Sequence, residues 1–154
     1  MVIFYETKNF TVESYDKPHI CRTDGGHIVI RPKELVVNRW DLDTKKAKEM
    51  AVLSMVVGEA MFKAMNNRGI PVERMNFQDN GNWGIGSKKG PKMHLHIYGR
   101  AKNSVHQKHG EAIYLPKKNT KFYEKLDPLN KEDIEEILKE IKIILQREKY
   151  HELR

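Results

Sequence analysis

Apolar positions change period several times along this chain. Through "VIFYE" and "FTVESY", apolar and aromatic residues alternate loosely with polar ones, which predicts two opening strands without fixing their register. In "PHICRTDGGHIVIRPK", the turn formers Asp24, Gly25 and Gly26 separate two short β-prone runs, so a strand is expected on each side. The second run puts Ile28 and Ile30 on one face and His27, Val29 and Arg31 on the other, and Pro32 ends it or places it at an edge. From "DLDTKKAKEM" onward the period lengthens. Met50, Leu53, Val57, Met61, Ala64 and Met65 recur at helical spacing, with Asp43 or Thr44 as the cap and Gly69 as the stop. A second helix fits "LNKEDIEEILKEIKIILQREKY": Ile134, Ile137, Leu138, Ile141, Ile144 and Leu145 share one face, behind an Asn130 cap.

The remaining periodic stretch is "KMHLHIYGR", where Met93, Leu95 and Ile97 alternate with His94, His96 and Tyr98. A half-buried strand sends the apolar set into the core and both imidazoles to the opposite face, with Lys92 and Arg100 beside them. Residues 101–129 are polar and Lys-rich, with only "AIYL" suggesting another short strand, and no catalytic chemistry is assigned there.

Composition narrows the picture. At 154 residues the chain suits one domain. Lys and Arg number 28 against 21 Asp and Glu, a net charge of +7 that favours a polyanionic partner without naming it. The lone Cys21 excludes an intramolecular disulfide and a Cys-rich zinc site, and no apolar run approaches the length of a membrane span; a cytoplasmic protein is expected.

Immediately before the His94 strand runs "FQDNGNWGIGSKKGP", in which Gly81, Gly84, Gly86 and Gly90 can let backbone N–H groups converge on an anion while Lys88 and Lys89 add positive charge. Paired imidazoles next to such a loop suit chemistry at phosphorus: one neutral ring attacks and the other hydrogen-bonds the phosphoryl oxygens or assists proton transfer. The same spacing also fits metal ligation, with His106 and His109 adding nitrogens if "HQKH" is helical, or ordinary structural histidines.

"KMHLHIYGR" resembles the signature of the histidine triad (HIT) family, a strand His-x-His-x-His followed by two apolar residues, Pro or Gly, and Arg. "GGHIVIRPK" is similar to the family's Gly-His strand, the long helix follows in the same order, and "FQDNGNWG" is similar to the Gln-Asp-Gly turn of the fragile histidine triad branch, the dinucleoside polyphosphate hydrolases. The likeness covers about residues 13–102. Lys92 stands where the first histidine is expected, leaving a dyad. In the preferred frame His94 is the middle histidine and His96 the third; the alternative makes His94 first, His96 the nucleophile and Tyr98 the third.

The resemblance implies an α+β fold: an antiparallel sheet with the long helix packed on it and an extra C-terminal helix, residues 1–126 forming the nucleotide-binding domain and 127–154 a helical extension on it. It further implies a hydrolase or transferase acting at the α-phosphate of purine nucleotides, dinucleoside polyphosphates or nucleoside phosphoramidates, through a nucleotidyl-histidine on His94. His96 contacts the phosphate, and Lys92, Ser87, Lys88, Lys89, Gly86, Gly90 and Gln78 form the binding loop. His19, eight residues before His27, falls at the ribose position, with Asp16 as the substitute if there is an insertion; Ile20 and Ile28 are candidates for the base pocket. No metal or other cofactor is implied. Partners are purine nucleotides and a second copy of the chain, with no membrane and with nucleic acid less favoured. Two other readings accompany this one: a nucleotide sensor that lost turnover with the first histidine, and an enzyme processing adenylated nucleic-acid ends.

Overall fold

The computed structural model describes residues 1–153. Five strands, β1 (Val2–Glu6), β2 (Phe10–Ser14), β3 (His27–Pro32), β4 (Val72–Gln78) and β5 (Leu95–Ala101), form one antiparallel sheet in the order β1-β2-β3-β5-β4. The long helix α1 (Thr44–Asn67) connects β3 to β4, and α2 (Lys131–Leu145) packs against α1. The α+β architecture matches the expectation.

Alternation along the strands separates the two faces of the sheet. Val12, Ile28, Ile30, Leu95 and Ile97 join Leu53, Val57, Met61 and Met65 of α1 and Ile137, Ile141 and Ile144 of α2 in one core. Both helices start as their sequences dictate: Asp43 accepts from the Lys46 N–H, and Asn130 and Asp133 form a reciprocal capping box. Gly69 ends α1 with a positive φ of 79°. Asp133 also anchors α2, accepting two hydrogen bonds from the Arg22 guanidinium at 2.7 and 2.9 Å and one from Arg68 at 3.2 Å.

The other face of the sheet is polar, yet it is covered as well. Residues 15–24 and 102–127 form a second layer over it, held by side chains that reach between the layers. Arg100, at the end of the "KMHLHIYGR" run, donates to the Lys108 and Glu111 carbonyls, and buried Asp24 accepts the N–H groups of Val105 and His106. Cys21, Tyr123 and Leu126 make a small apolar cluster within this layer.

Three sequence expectations are corrected. The run before Gly25 is no strand: it leads into a 3-10 turn, Arg22–Asp24, whose Asp24 carboxylate is engaged by the second layer. Gly25, at φ 123°, lies so close to the Gly99 backbone that a Cβ on either would overlap the other, so this turn is a crossing point with β5 rather than a hairpin. "AIYL" forms no strand either, because the Tyr114 N–H is taken by the Gln107 side chain. Conversely β4, absent from the expectation, is an edge strand with mostly exposed or half-buried side chains, so its sequence carries no clean alternation.

Candidate functional site

Register places the histidines. His27 lies opposite Tyr98 and Val29 opposite His96, which brings the polar positions of β3 and β5 together under the second layer. A cleft of about 580 Å³ opens here, lined by Tyr15, Lys17 and His19 from one side, residues 80–84 from another, His94 and His96 from the floor, and Leu115, Lys118 and Tyr123 from the cover.

Hydrogen bonds fix the protonation of three rings. His94 Nδ1 lies 2.6 Å from the Lys92 carbonyl oxygen, which can only accept, so Nδ1 carries the proton and Nε2 the lone pair. His27 Nδ1 accepts the His19 backbone N–H at 3.1 Å, so the neutral His27 ring is protonated at Nε2 and donates to His96 Nδ1 at 2.9 Å. His96 therefore carries its own proton on Nε2. The cleft floor thus pairs a ring with a free lone pair and a ring with a free N–H, their centroids 4.5 Å apart. Tyr98 is committed elsewhere: its hydroxyl is 2.7 Å from His19 Nδ1 and 3.4 Å from the Asn80 amide.

Burial keeps these rings neutral. His96 is lowered to about 2, first by desolvation and then by the neighbouring His94, His19 and Arg31. His19 is lowered to about 4, again first by burial, with His94 and Lys118 adding to it. Burial likewise holds His27 well below the ordinary range, and lowers His94 against the opposing hydrogen bond to Lys92. Nitrogens of His19, His27 and His96 come within 4.8 Å of one another, a spacing a metal ion can use. His27 has no lone pair to give it, however, because Nδ1 accepts from His19 and Nε2–H donates to His96. The other metal reading fails too: residues 106–109 are not helical, His106 binds Asp24, and His109 binds Glu73.

No protein-family model and no curated protein matches the chain. Solved structures do. A hypothetical histidine triad nucleotide-binding protein from Sulfolobus tokodaii superposes with a TM-score of 0.58 at 18% identity, over 93% of this chain and 85% of that one. A zinc-bound histidine triad protein from Mycobacterium smegmatis gives a TM-score of 0.62 at 17% identity, over 95% and 88%. The chain has the histidine triad fold. The C. elegans NitFhit protein is similar over 92% of this chain but 27% of its own length, with a TM-score of 0.57 and 20% identity.

Within the histidine triad fold, the residues expected from sequence divide into two groups. His94, His96 and His19 line the cleft together. Gln78 sits opposite His96 in β4 and reaches the cleft through Asn80, which donates to its side chain at 3.3 Å. Lys92 contributes its carbonyl, while its side chain is exposed. Gly86, Ser87, Lys88, Lys89 and Gly90 do not line the cleft. The Ser87 and Gly90 N–H groups bond back to Gly84 and Ser87, closing turns within the loop rather than converging on an anion.

Asp16 is exposed and paired with the N-terminal amine. Ile28 faces the helices and Ile20 is fully buried, so neither lines the cleft. Sequence reading left out Tyr15, Lys17, Asn80, Leu115, Lys118, Tyr123 and the tautomer-setting His27. The Gly-His motif pointed to the last, and Asn80 falls within the "FQDNGNWG" turn; the others carry no local signal.

Proposed function

We propose that this protein is a nucleotide hydrolase or transferase acting at the α-phosphate of purine nucleotides, on the side of the fragile histidine triad branch. The pairing of a His94 lone pair with a His96 N–H on one cleft floor carries this reading. His94 Nε2 attacks the α-phosphorus, a P–N bond forms, and the bond to the leaving group breaks with its electron pair departing on that group. The His96 Nε2–H donates to the phosphoryl oxygens as their charge grows. Water then attacks the same phosphorus and gives up a proton to solvent, the P–N bond returns its electrons to His94 Nε2, and the nucleoside monophosphate leaves. His19, at the ribose position, lies between this floor and Trp83, with ring centroids 4.9 Å from each of His96 and Trp83.

Lys92 does not argue for a retired enzyme. His94 is oriented by a backbone carbonyl, which any residue at position 92 supplies.

The working unit in this reading is a homodimer in the cytoplasm. β4 is an edge strand, its half-exposed Phe77 packs over Gly58 of α1, and Met55 and Phe62 of the same helix are exposed. Among the described residues no helix is long and apolar enough to cross a membrane. Sedimentation equilibrium should give a dimer that Phe77→Glu converts to monomer; a wild-type monomer removes this part of the proposal.

The activity is tested with dinucleoside polyphosphates and nucleoside phosphoramidates of adenosine and guanosine. Nucleoside monophosphate release is expected from at least one class. Tight binding of all of them without release replaces the enzyme with the sensor.

A further inference from the structure

Beside the two histidines, the polar face of the sheet carries a buried ion pair that attack at phosphorus does not use. Glu13 is only 3% exposed, although its neighbour Val12 faces the helices and alternation turns Glu13 the other way. Register puts it in one row with the histidine floor, since Glu13 pairs with Val29 and Val29 with His96. Its carboxylate accepts from the Thr11 hydroxyl at 2.7 Å and from Arg31 Nε at 3.3 Å. Arg31 Nη2 then donates to the Tyr15 hydroxyl at 2.7 Å, so the guanidinium bridges Glu13 and Tyr15. Its charge reaches both floor rings: burial comes first in lowering His94 and His96, and Arg31 adds to it in each.

Tyr15 brings this network to the cleft. It lines the cleft together with His94 and His96, and its ring stacks at 5.4 Å on His27, the ring that donates to His96. A guanidinium can only donate, so the Tyr15 oxygen accepts, and its own proton has no acceptor among the described residues. Burial, opposed by Arg31, raises the hydroxyl above the ordinary tyrosine range, so it keeps that proton at neutral pH. Tyr123, which also lines the cleft, donates its proton to the Pro116 carbonyl at 2.6 Å and has none left to offer. We infer that Tyr15 is a ligand-binding residue whose O–H donates to the phosphoryl group held at His94 and His96, with Arg31 and Glu13 as positioning residues behind it. This rests on the nucleotide reading above and adds a donor to it. An O–H whose oxygen accepts from a cation is a stronger donor, and an anionic oxygen gains most from it.

The test is calorimetric titration of the full chain with AMP and with adenosine, in wild type, Tyr15→Phe, Glu13→Gln/Arg31→Gln and the triple variant. Tyr15→Phe deletes the hydroxyl and keeps the ring, and the paired glutamines leave no lone charge buried. Tyr15→Phe is expected to weaken AMP by roughly tenfold, the scale of one charge-assisted hydrogen bond, and to leave adenosine within about twofold. The glutamine pair should weaken AMP several-fold by itself, yet by less than about twofold in the Tyr15→Phe background, because its effect runs through that hydroxyl. Unchanged AMP affinity in Tyr15→Phe, or an equal loss for AMP and adenosine, overturns the phosphoryl contact. A loss from the glutamine pair that persists undiminished in the triple variant overturns the positioning role. If the glutamine pair does not fold, Tyr15→Phe alone still decides the contact. Failure of wild type to bind AMP and adenosine alike removes the nucleotide reading and this contact with it, whereas AMP binding that ignores Tyr15→Phe removes the contact alone.

Discussion

At pH 5 the protein is expected to be about 4 kcal/mol less stable than at pH 7 from His27 and His96 alone, which is on the order of half the total stability of an ordinary domain. Both rings are almost fully buried and neutral, with His96 titrating near 2 and His27 well below its ordinary range. In the unfolded chain each takes up a proton near pH 6.5. The sign follows directly: below about pH 6.5 the unfolded state binds protons that the native state refuses, so stability is retained above that pH and lost as pH falls. His19, with a native value of about 4, adds to the loss down to that pH. Urea midpoints measured between pH 7 and pH 5 should fall steeply, and His27→Asn should flatten the slope. A midpoint independent of pH would mean that these rings are solvated or charged in the native protein, and the tautomer assignment would fall with it.

The second large effect concerns turnover. His94→Ala is expected to lower nucleotide hydrolysis on the order of 10⁴-fold, as removal of a nucleophile does, because no other ring at the cleft floor has both a free lone pair and access. His96→Ala should cost on the order of 10² to 10³, the scale of a single donor to a developing oxyanion. Lys92→Ala, by contrast, should stay within a few-fold, since His94 uses only the carbonyl of that residue. Measured kcat values for the three variants therefore distinguish the roles. Equal losses for Lys92→Ala and His94→Ala would show that the lysine ammonium takes part after all.

The elements whose pattern is local were readable in the chain. The β5 alternation placed Leu95 and Ile97 in the core and His94 and His96 on the other face, and the α1 stripe from Met50 to Met65 is buried as its spacing requires. What escaped is set by distant contacts. His27 acquires its role from a ring 69 residues away, and no periodicity around position 27 records that hydrogen bond. Residues 102–127 read only as a polar, Lys-rich stretch because their placement depends on Arg100, Asp24 and Gln107 satisfying scattered backbone groups, not on an apolar stripe. β4 escaped for the opposite reason: an edge strand with exposed faces has little hydrophobic pattern to show. The glycine and lysine loop misled because composition reports what a backbone can do, whereas here its amides close their own turns.

If His94 attacks phosphorus, a covalent nucleotidyl-enzyme forms and can be trapped. Wild-type protein mixed with a reactive adenosine nucleotide, quenched within milliseconds under neutral denaturing conditions and digested, should yield a nucleotidyl group on His94, absent from His94→Ala and accumulating in wild type before steady-state release. A nucleotidyl group on His96, or hydrolysis at full rate with no adduct at any time, would rule out His94 as the nucleophile.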